Sequence, residues 1–330
     1  GLSSAVGGGF QNTASGLVST ASGGIYNTAS GNWSTVSGGQ NNTASDTLSV
    51  VSGGFFNVAS GVYSFIGGGS ENTVSHEYST IVGGKNNSVA APFSIVSGGV
   101  GNSITAGVST IGGGLDNSVT ASYGTIGGGE DNQANGERST VAGGTNNIAG
   151  FIATVSGGGH NQALGSGSTI GGGIANIASG ENTAIVGGYG LTLSGSGSVG
   201  YLGNNNDGSR DMTISAANTA VFGNVDLWLV NNDNTAHELR MYEASGSGSN
   251  YTAFKVGVQG ADIVYTLPTS AGSNGQVLTT NGSGILSWTT ASGGGLQYFT
   301  ENRNTTAPNA TRPVHQLAAT GTEADIDLAI

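Results

Sequence analysis

The sequence predicts an all-β chain: a parallel β-roll, or β-solenoid, of 15-residue coils, followed by a smaller antiparallel β region. Three observations carry this expectation. Paired glycines return every 15 residues, an asparagine keeps the same beat, and the runs between them favour strand with no 3.6-residue period.

Composition agrees with ordered repetition. Of 330 residues, 63 are Gly, 4 are Pro and none is Cys, and only 8% are charged. Glycine at this level without a Gly-X-Y period is not collagen. Disordered chains carry high charge and few β-branched residues, whereas Val, Ile and Thr are plentiful here. The net charge of −12 would repel a phosphate backbone, which excludes nucleic acid as the main partner. Without cysteine there are no disulfides and no thiolate metal ligands. No apolar run approaches membrane-spanning length. Gly1 enters already in phase with the repeat and no signal peptide precedes it, so the chain reads as the interior of a longer polypeptide.

The paired glycines run from Gly8-Gly9 through Gly38-Gly39 to Gly143-Gly144, lose one residue near Gly150, and resume at Gly157-Gly158. Asparagine follows at Asn12, Asn27, Asn42, Asn57, Asn72, Asn87, Asn102, Asn117, Asn132 and Asn147, then at Asn161 and Asn176. The unit is S-T-V-S-G-G-x-x-N-T-A-S-G-x-x, and Ser34–Leu48 follows it with Asp46 in place of the last glycine. Its two strand-favouring runs, S-T-V-S and N-T-A-S, are separated by turns in which glycine supplies positive φ. Fifteen residues cannot close a layer alone, but they can form one rung of a stack. Thirteen rungs would span roughly 60 Å. The asparagines then form a structural ladder, each bonding the rungs above and below.

Two interior ranks face each other. One runs from Val6 through Val36, Ile66 and Ile111 to Val141; the other from Ala14 through Ala44, Val74 and Ile104 to Val119. A coil closed on Val and Ala is thin. A further rank, Val18, Trp33, Leu48, Tyr63, Tyr78, Phe93, Val108 and Tyr123, would leave a long apolar stripe on a lone roll. Burial between identical chains about a threefold fibre axis covers such a stripe, so the expected assembly is a homotrimeric fibre in which each chain meets two copies of itself. The stripe ends at Arg138.

These repeats resemble the YadA-type head of trimeric autotransporter adhesins, with Asn182-Thr-Ala-Ile-Val-Gly-Gly188 the nearest match. The resemblance covers residues 1–203 and implies a left-handed parallel β-roll packed as a trimer.

The beat fades through Ser194–Gly203, and Asn204–Gly208 is a turn cluster that marks a boundary. The expected division is a repeat roll over 1–203, a β-rich fibre module over 204–290, and the start of a further distal segment over 291–330. Strands are expected at Ala220–Val230, Glu238–Glu243, Tyr251–Val258 and Ile263–Leu267, with a hairpin around Asn281-Gly282. E-L-R-M-Y-E-A-S from Glu238, Y-T-L-P-T-S-A-G from Tyr265 and G-Q-V-L-T-T-N-G from Gly275 resemble modules of phage tail-fibre-like and bacterial surface-fibre proteins. Tyr298–Arg303, Ala307–Thr311 and Ala324–Leu328 resemble the segment before the distal part of such phage fibres, which implies a receptor-binding region beyond Ile330.

Catalytic chemistry finds little support. A glycosidase needs two carboxylates across a groove. Asp116 and Asp131 share a column, with Glu130 beside them and Glu71 nearby, but that column varies freely through Gln11, Tyr26, Asn41 and Phe56, as a solvent turn does. His76, His160, His237 and His315 lack catalytic or metal-ligand spacing and read as surface residues. Thr20, Thr35, Thr80 and Thr110 begin a rank that could order water, but Val50, Phe65 and Ile95 interrupt it. The expectation is therefore a non-enzymatic attachment fibre without cofactor or metal. It would be extracellular, on a virion surface as a phage tail or head fibre shaft, and would present a distal region to a host glycan receptor. A bacterial trimeric surface adhesin is the first alternative and a polysaccharide-depolymerising spike the second.

Overall fold

A computed structural model describes residues 1–203, 212–227, 238–244, 249–257 and 259–290, and the backbone alone of 299–304 and 314–319. The chain divides into two compact units, Gly1–Leu227 and Trp228–Ile330. No helix occurs among the described residues, and so none is long and apolar enough to cross a membrane.

The first unit is a parallel β-solenoid. One ladder stacks fifteen short strands, from Ala5–Val6 to Ala220–Gly223, and a second stacks fourteen, from Thr13–Ala14 to Met212–Ile214. A third line of single-residue parallel bridges runs from Phe10↔Ile25 to Ile174↔Tyr189. At about 4.8 Å per rung the longer ladder extends for roughly 70 Å. Each rung pairs with its equivalent 15 residues on, as Thr35↔Val50 and Val36↔Val51 show. The missing residue near Gly150 is absorbed in one coil, where Thr140 pairs with Thr154.

Alternation along the two-residue strands sorts the side chains. Val36, Val51, Ile66 and Ile81 of the first ladder and Ala44, Ala59, Val74 and Val89 of the second are fully buried and form one continuous core. Their outward neighbours are Thr35, Thr43, Thr73 and Thr80 at half of these rungs and Val50, Val58, Phe65 and Ser88 at the others. A buried Ser rank that includes Ser19, Ser34, Ser49 and Ser64 packs beside this core.

The roll does not end at 203. Leu191 pairs with Met212 and Val199 with Ala220, so one further coil follows the turn cluster. The partners in this last step are 21 residues apart instead of 15, which hides the repeat from the sequence. The apolar core itself continues, because Leu191, Leu193 and Leu202 are buried and Met212, Ile214 and Val221 pack against them.

In the second unit Glu238–Tyr242 pairs antiparallel with Tyr251–Lys255, and Gln276–Thr280 with Leu286–Thr290 about the turn that contains Asn281-Gly282. Phe299–Asn304 pairs antiparallel with Val314–Ala319. The strand expected over Ile263–Leu267 is reduced to one bridge, Thr266↔Ile285. Val264 and Leu267 are largely exposed, so no buried face holds that segment in a sheet, and Pro268 cannot extend the ladder. The Trp288 indole N–H donates to Ser270 O at 2.7 Å. The expected elements at 307–311 and 324–328 lie outside the described residues, as does the end of the one expected over 220–230.

Candidate functional site

Two columns of non-glycine residues turn the coil with left-handed backbone. One comprises Gln11, Tyr26, Asn41, Phe56 and their equivalents, immediately before the Asn rank. The other is the apolar rank itself, with φ of 55° at Val18, 54° at Trp33, 57° at Leu48, 56° at Tyr63, 52° at Tyr78, 55° at Phe93, 58° at Val108 and 60° at Tyr123. Each N–H of this turn bonds the rung before it, as Trp33 N to Leu17 O at 2.8 Å and Tyr63 N to Thr47 O at 3.0 Å. The backbone therefore dictates the turn, whatever side chain stands there.

The side chains present are not those the turn prefers. Left-handed backbone costs an ordinary L-residue about 1–2 kcal/mol, and Gly, Asn or Asp least. Later coils use those residues at the same position: Gly167, Asn182, Gly197 and Asn218. From Val18 to Tyr123 the rank instead carries eight large apolar side chains, 36–55% exposed. Tyr63 and Tyr78 stack at 4.9 Å between ring centroids with planes 10° apart, and Tyr78 and Phe93 at 5.2 Å and 3°. Arg138 closes the run with its guanidinium 5.6 Å from the Tyr123 ring centre. The two stacked pairs return roughly 1 kcal/mol each, which offsets only a small part of the backbone cost of the eight residues and leaves the ring edges in water. This exposed apolar column, uncharged at its own eight positions, is the strongest functional feature of this unit.

The Asn rank points inward and is chemically complete. Asn72 Nδ2 donates to Gly68 O at 3.1 Å, to Gly84 O at 2.9 Å and to Asn57 Oδ1 at 3.1 Å. Its Oδ1 accepts from the Asn87 N–H at 3.0 Å and from Asn87 Nδ2 at 3.1 Å. Comparable bonds link Asn12, Asn27, Asn42, Asn57, Asn87, Asn102, Asn117, Asn132 and Asn147 to their neighbouring rungs. The series ends where Asn176 Oδ1 receives the N–H of Leu191, which takes the asparagine's place. With every polar atom engaged, these amides have nothing to offer a ligand.

The carboxylates stay apart from any enclosed site. Asp116 and Asp131 sit on the first left-handed corner with φ of 52° and 53°, and Glu130 lies on the bridge line beside them. All three, and Glu71, are exposed on a convex turn. No group of three His, Cys, Asp or Glu residues that could hold a metal occurs among the described residues. His76 and His160 are exposed, His237 lies outside the described residues, and His315 is described only by its backbone. In the second unit Arg240 pairs with Glu238 and lies 4.5 Å from the Tyr251 ring centre. Hydrogen bonds to Tyr242 and then Glu238 hold its pKa above the usual range.

A scan against protein-family models finds no match, and a search of curated proteins finds none either.

Proposed function

We propose that this chain is a non-enzymatic shaft segment of an extracellular attachment fibre, built from three identical chains. The exposed apolar column carries this reading. Eight successive rungs place large apolar side chains where the backbone alone would favour Gly or Asn. Half-exposed side chains of this size offer about 100 Å² apiece, so the column presents on the order of 800 Å², the share one partner contributes to a stable interface. A partner must also match a straight column with a rung every 4.8 Å or so. Another copy of the same roll has that spacing by construction, while an α-helix, at about 5.4 Å per turn, drifts out of step. None of the eight rank positions from Val18 to Tyr123 is charged, as suits the centre of such an interface, and Glu77, which precedes Tyr78 on the same turn, would stand at its rim.

The resemblance of residues 1–203 to YadA-type heads and of the later segments to phage tail-fibre modules supports an outer-surface location. The later segments favour a virion fibre, and a bacterial adhesin is the alternative. A stiff rod of uniform coils projects a distal receptor-binding region, and three copies strengthen weak glycan contacts through avidity.

Sedimentation equilibrium of the 1–330 chain is expected to return a trimer. Tyr63→Asp combined with Phe93→Asp should abolish it, because carboxylates cannot be desolvated against like charges from two copies. Aspartate tolerates left-handed backbone, so the coils should survive in the variant. A stable, folded, soluble monomer of the unmodified chain would sink the proposal. The non-enzymatic reading has its own check. The purified trimer should release no reducing ends from capsular polysaccharide or lipopolysaccharide, and release that is lost in Asp116→Asn/Asp131→Asn would overturn it.

A further inference from the structure

A second aromatic cluster lies on the other left-handed corner, formed by the bridge line and the residue after it. Its first four rungs read Phe10-Gln11, Ile25-Tyr26, Gln40-Asn41 and Phe55-Phe56, in register through the bridges Phe10↔Ile25, Ile25↔Gln40 and Gln40↔Phe55. Phe10, Tyr26, Phe55 and Phe56 are 40–55% exposed. Tyr26 and Phe56 hold φ of 58° and 55°, where Asn41 and Asn86 show the residue that the turn itself prefers. Here too the backbone did not choose the aromatics.

Ring geometry separates this cluster from the stacked column. Phe10 and Tyr26 meet edge to face at 5.6 Å and 84°, and Phe55 and Phe56 at 4.4 Å and 87°. In an edge-to-face pair one ring's edge covers one face of its neighbour and the edge-on ring keeps both of its own faces free of the pair, whereas the Tyr63–Tyr78–Phe93 stack closes both faces of its middle ring. Between the pairs, the side-chain amides of Gln40 and Asn41 make no hydrogen bond to any described residue. The pairs stand two rungs apart from Tyr26 to Phe56, about 10 Å along the axis, close to the length of a disaccharide unit in an extended chain. No charged residue occupies this corner from Phe10 to Phe56, while Glu71, Lys85, Asp116, Glu130 and Asp131 follow it.

We infer that this corner is a lateral binding strip for a neutral pyranose chain. The electron-rich ring faces receive the axial C–H groups of two sugars, and the amides of Gln40 and Asn41 bond the hydroxyls between them. Charge selects the ligand class, since an uncharged strip on a chain of net charge −12 disfavours a polyanion. Area argues against a second copy as occupant. The five partly exposed apolar side chains, Phe10, Ile25, Tyr26, Phe55 and Phe56, supply on the order of 500 Å², below the roughly 800 Å² per partner of a stable protein interface. The strip lies on a different corner of the coil from the Val18–Tyr123 rank.

Affinity electrophoresis of the full chain in gels containing hydroxyethylcellulose, galactomannan or dextran tests the strip, with heparin as the polyanion. At least one neutral polymer should retard the protein. Tyr26→Asn/Phe56→Asn should weaken retardation at least tenfold, and Asp131→Asn should leave it unchanged. Asparagine already occupies this column at Asn41 and Asn86, so the variant keeps the coil; Phe55→Gln, matching Gln40, provides a second variant. No retardation by any neutral polymer, retardation equal in the variants, or retardation by heparin alone overturns the inference. So does a change of oligomeric state in Tyr26→Asn/Phe56→Asn, which would put another copy of the chain on the strip.

Discussion

Gly84→Ala is expected to unfold the coils around it, while Gly83→Ala next door is expected to be harmless. The second glycine of the pair has φ of 95°, and a Cβ there would overlap the Gly99 carbonyl oxygen and stand 2.5 Å from Asn87 Nδ2. That position is where the ladder closes: Asn87 Nδ2 donates to Gly99 O at 2.9 Å. The methyl group would displace the amide from its acceptor and strain the backbone together. Such compound faults cost about 4 kcal/mol or more. A Cβ on Gly83 meets nothing within 4 Å, and its φ is not in the left-handed range. Alanine there removes only unfolded-state freedom and should raise stability by up to about 1 kcal/mol. Thermal unfolding followed by circular dichroism separates the two variants. Similar midpoints for both would show that the turn is not built as described.

The paired glycines look alike in the sequence, and only the backbone distinguishes them. The 15-residue rung, the inward ranks of Val36 and Ala44 and the Asn series were legible because an invariant period exposes which positions repeat an identical environment. The left-handed corners were not. Tyr26 and Trp33 are residues that favour strands, and nothing local to them announces φ of 58° and 54°. The sequence does carry a faint signal, since Gly167, Asn182 and Gly197 occupy the same column in later coils, although Ile152 before them still holds the turn with an apolar side chain. The last coil was hidden for a different reason. Recognition of a repeat depends on constant spacing, and the 204–211 segment breaks it, although Leu191, Leu202 and Met212 maintain the core across the break. The aromatic rank was visible as a stripe, yet its exposure and ring stacking depend on how the turn projects side chains, which spacing alone does not determine.

Asn72→Ala should also destabilise the coils, through a different fault. Removing the amide strips the Asn87 N–H, buried within the ladder, of its acceptor and leaves the Gly68 carbonyl without its donor. Gly84 O keeps the bond from Ser70 N at 2.9 Å, so two groups are orphaned rather than three. At about 1–3 kcal/mol for the buried Asn87 N–H and less for the part-buried Gly68 carbonyl, with the vacated amide volume in addition, a loss of about 2–4 kcal/mol is expected. Asn72→Asp distinguishes hydrogen bonding from shape, because the two side chains are nearly isosteric. Ionised aspartate retains an acceptor for Asn87 N but turns a carboxylate toward the Gly68 and Gly84 carbonyls, where an amide donor had been. Burial and those oxygens raise its folded-state pKa above the unfolded value. Protonation therefore favours the folded state, so the variant should be least stable at neutral pH and recover as the pH falls through the raised pKa, until the unfolded carboxylate is protonated as well. Asn72→Ala should show no such recovery relative to the unmodified chain. If both variants follow the same pH dependence, the side-chain donors are not what joins the rungs. If Asn72→Asp alone recovers, the stability of the rod resides in the amide ladder.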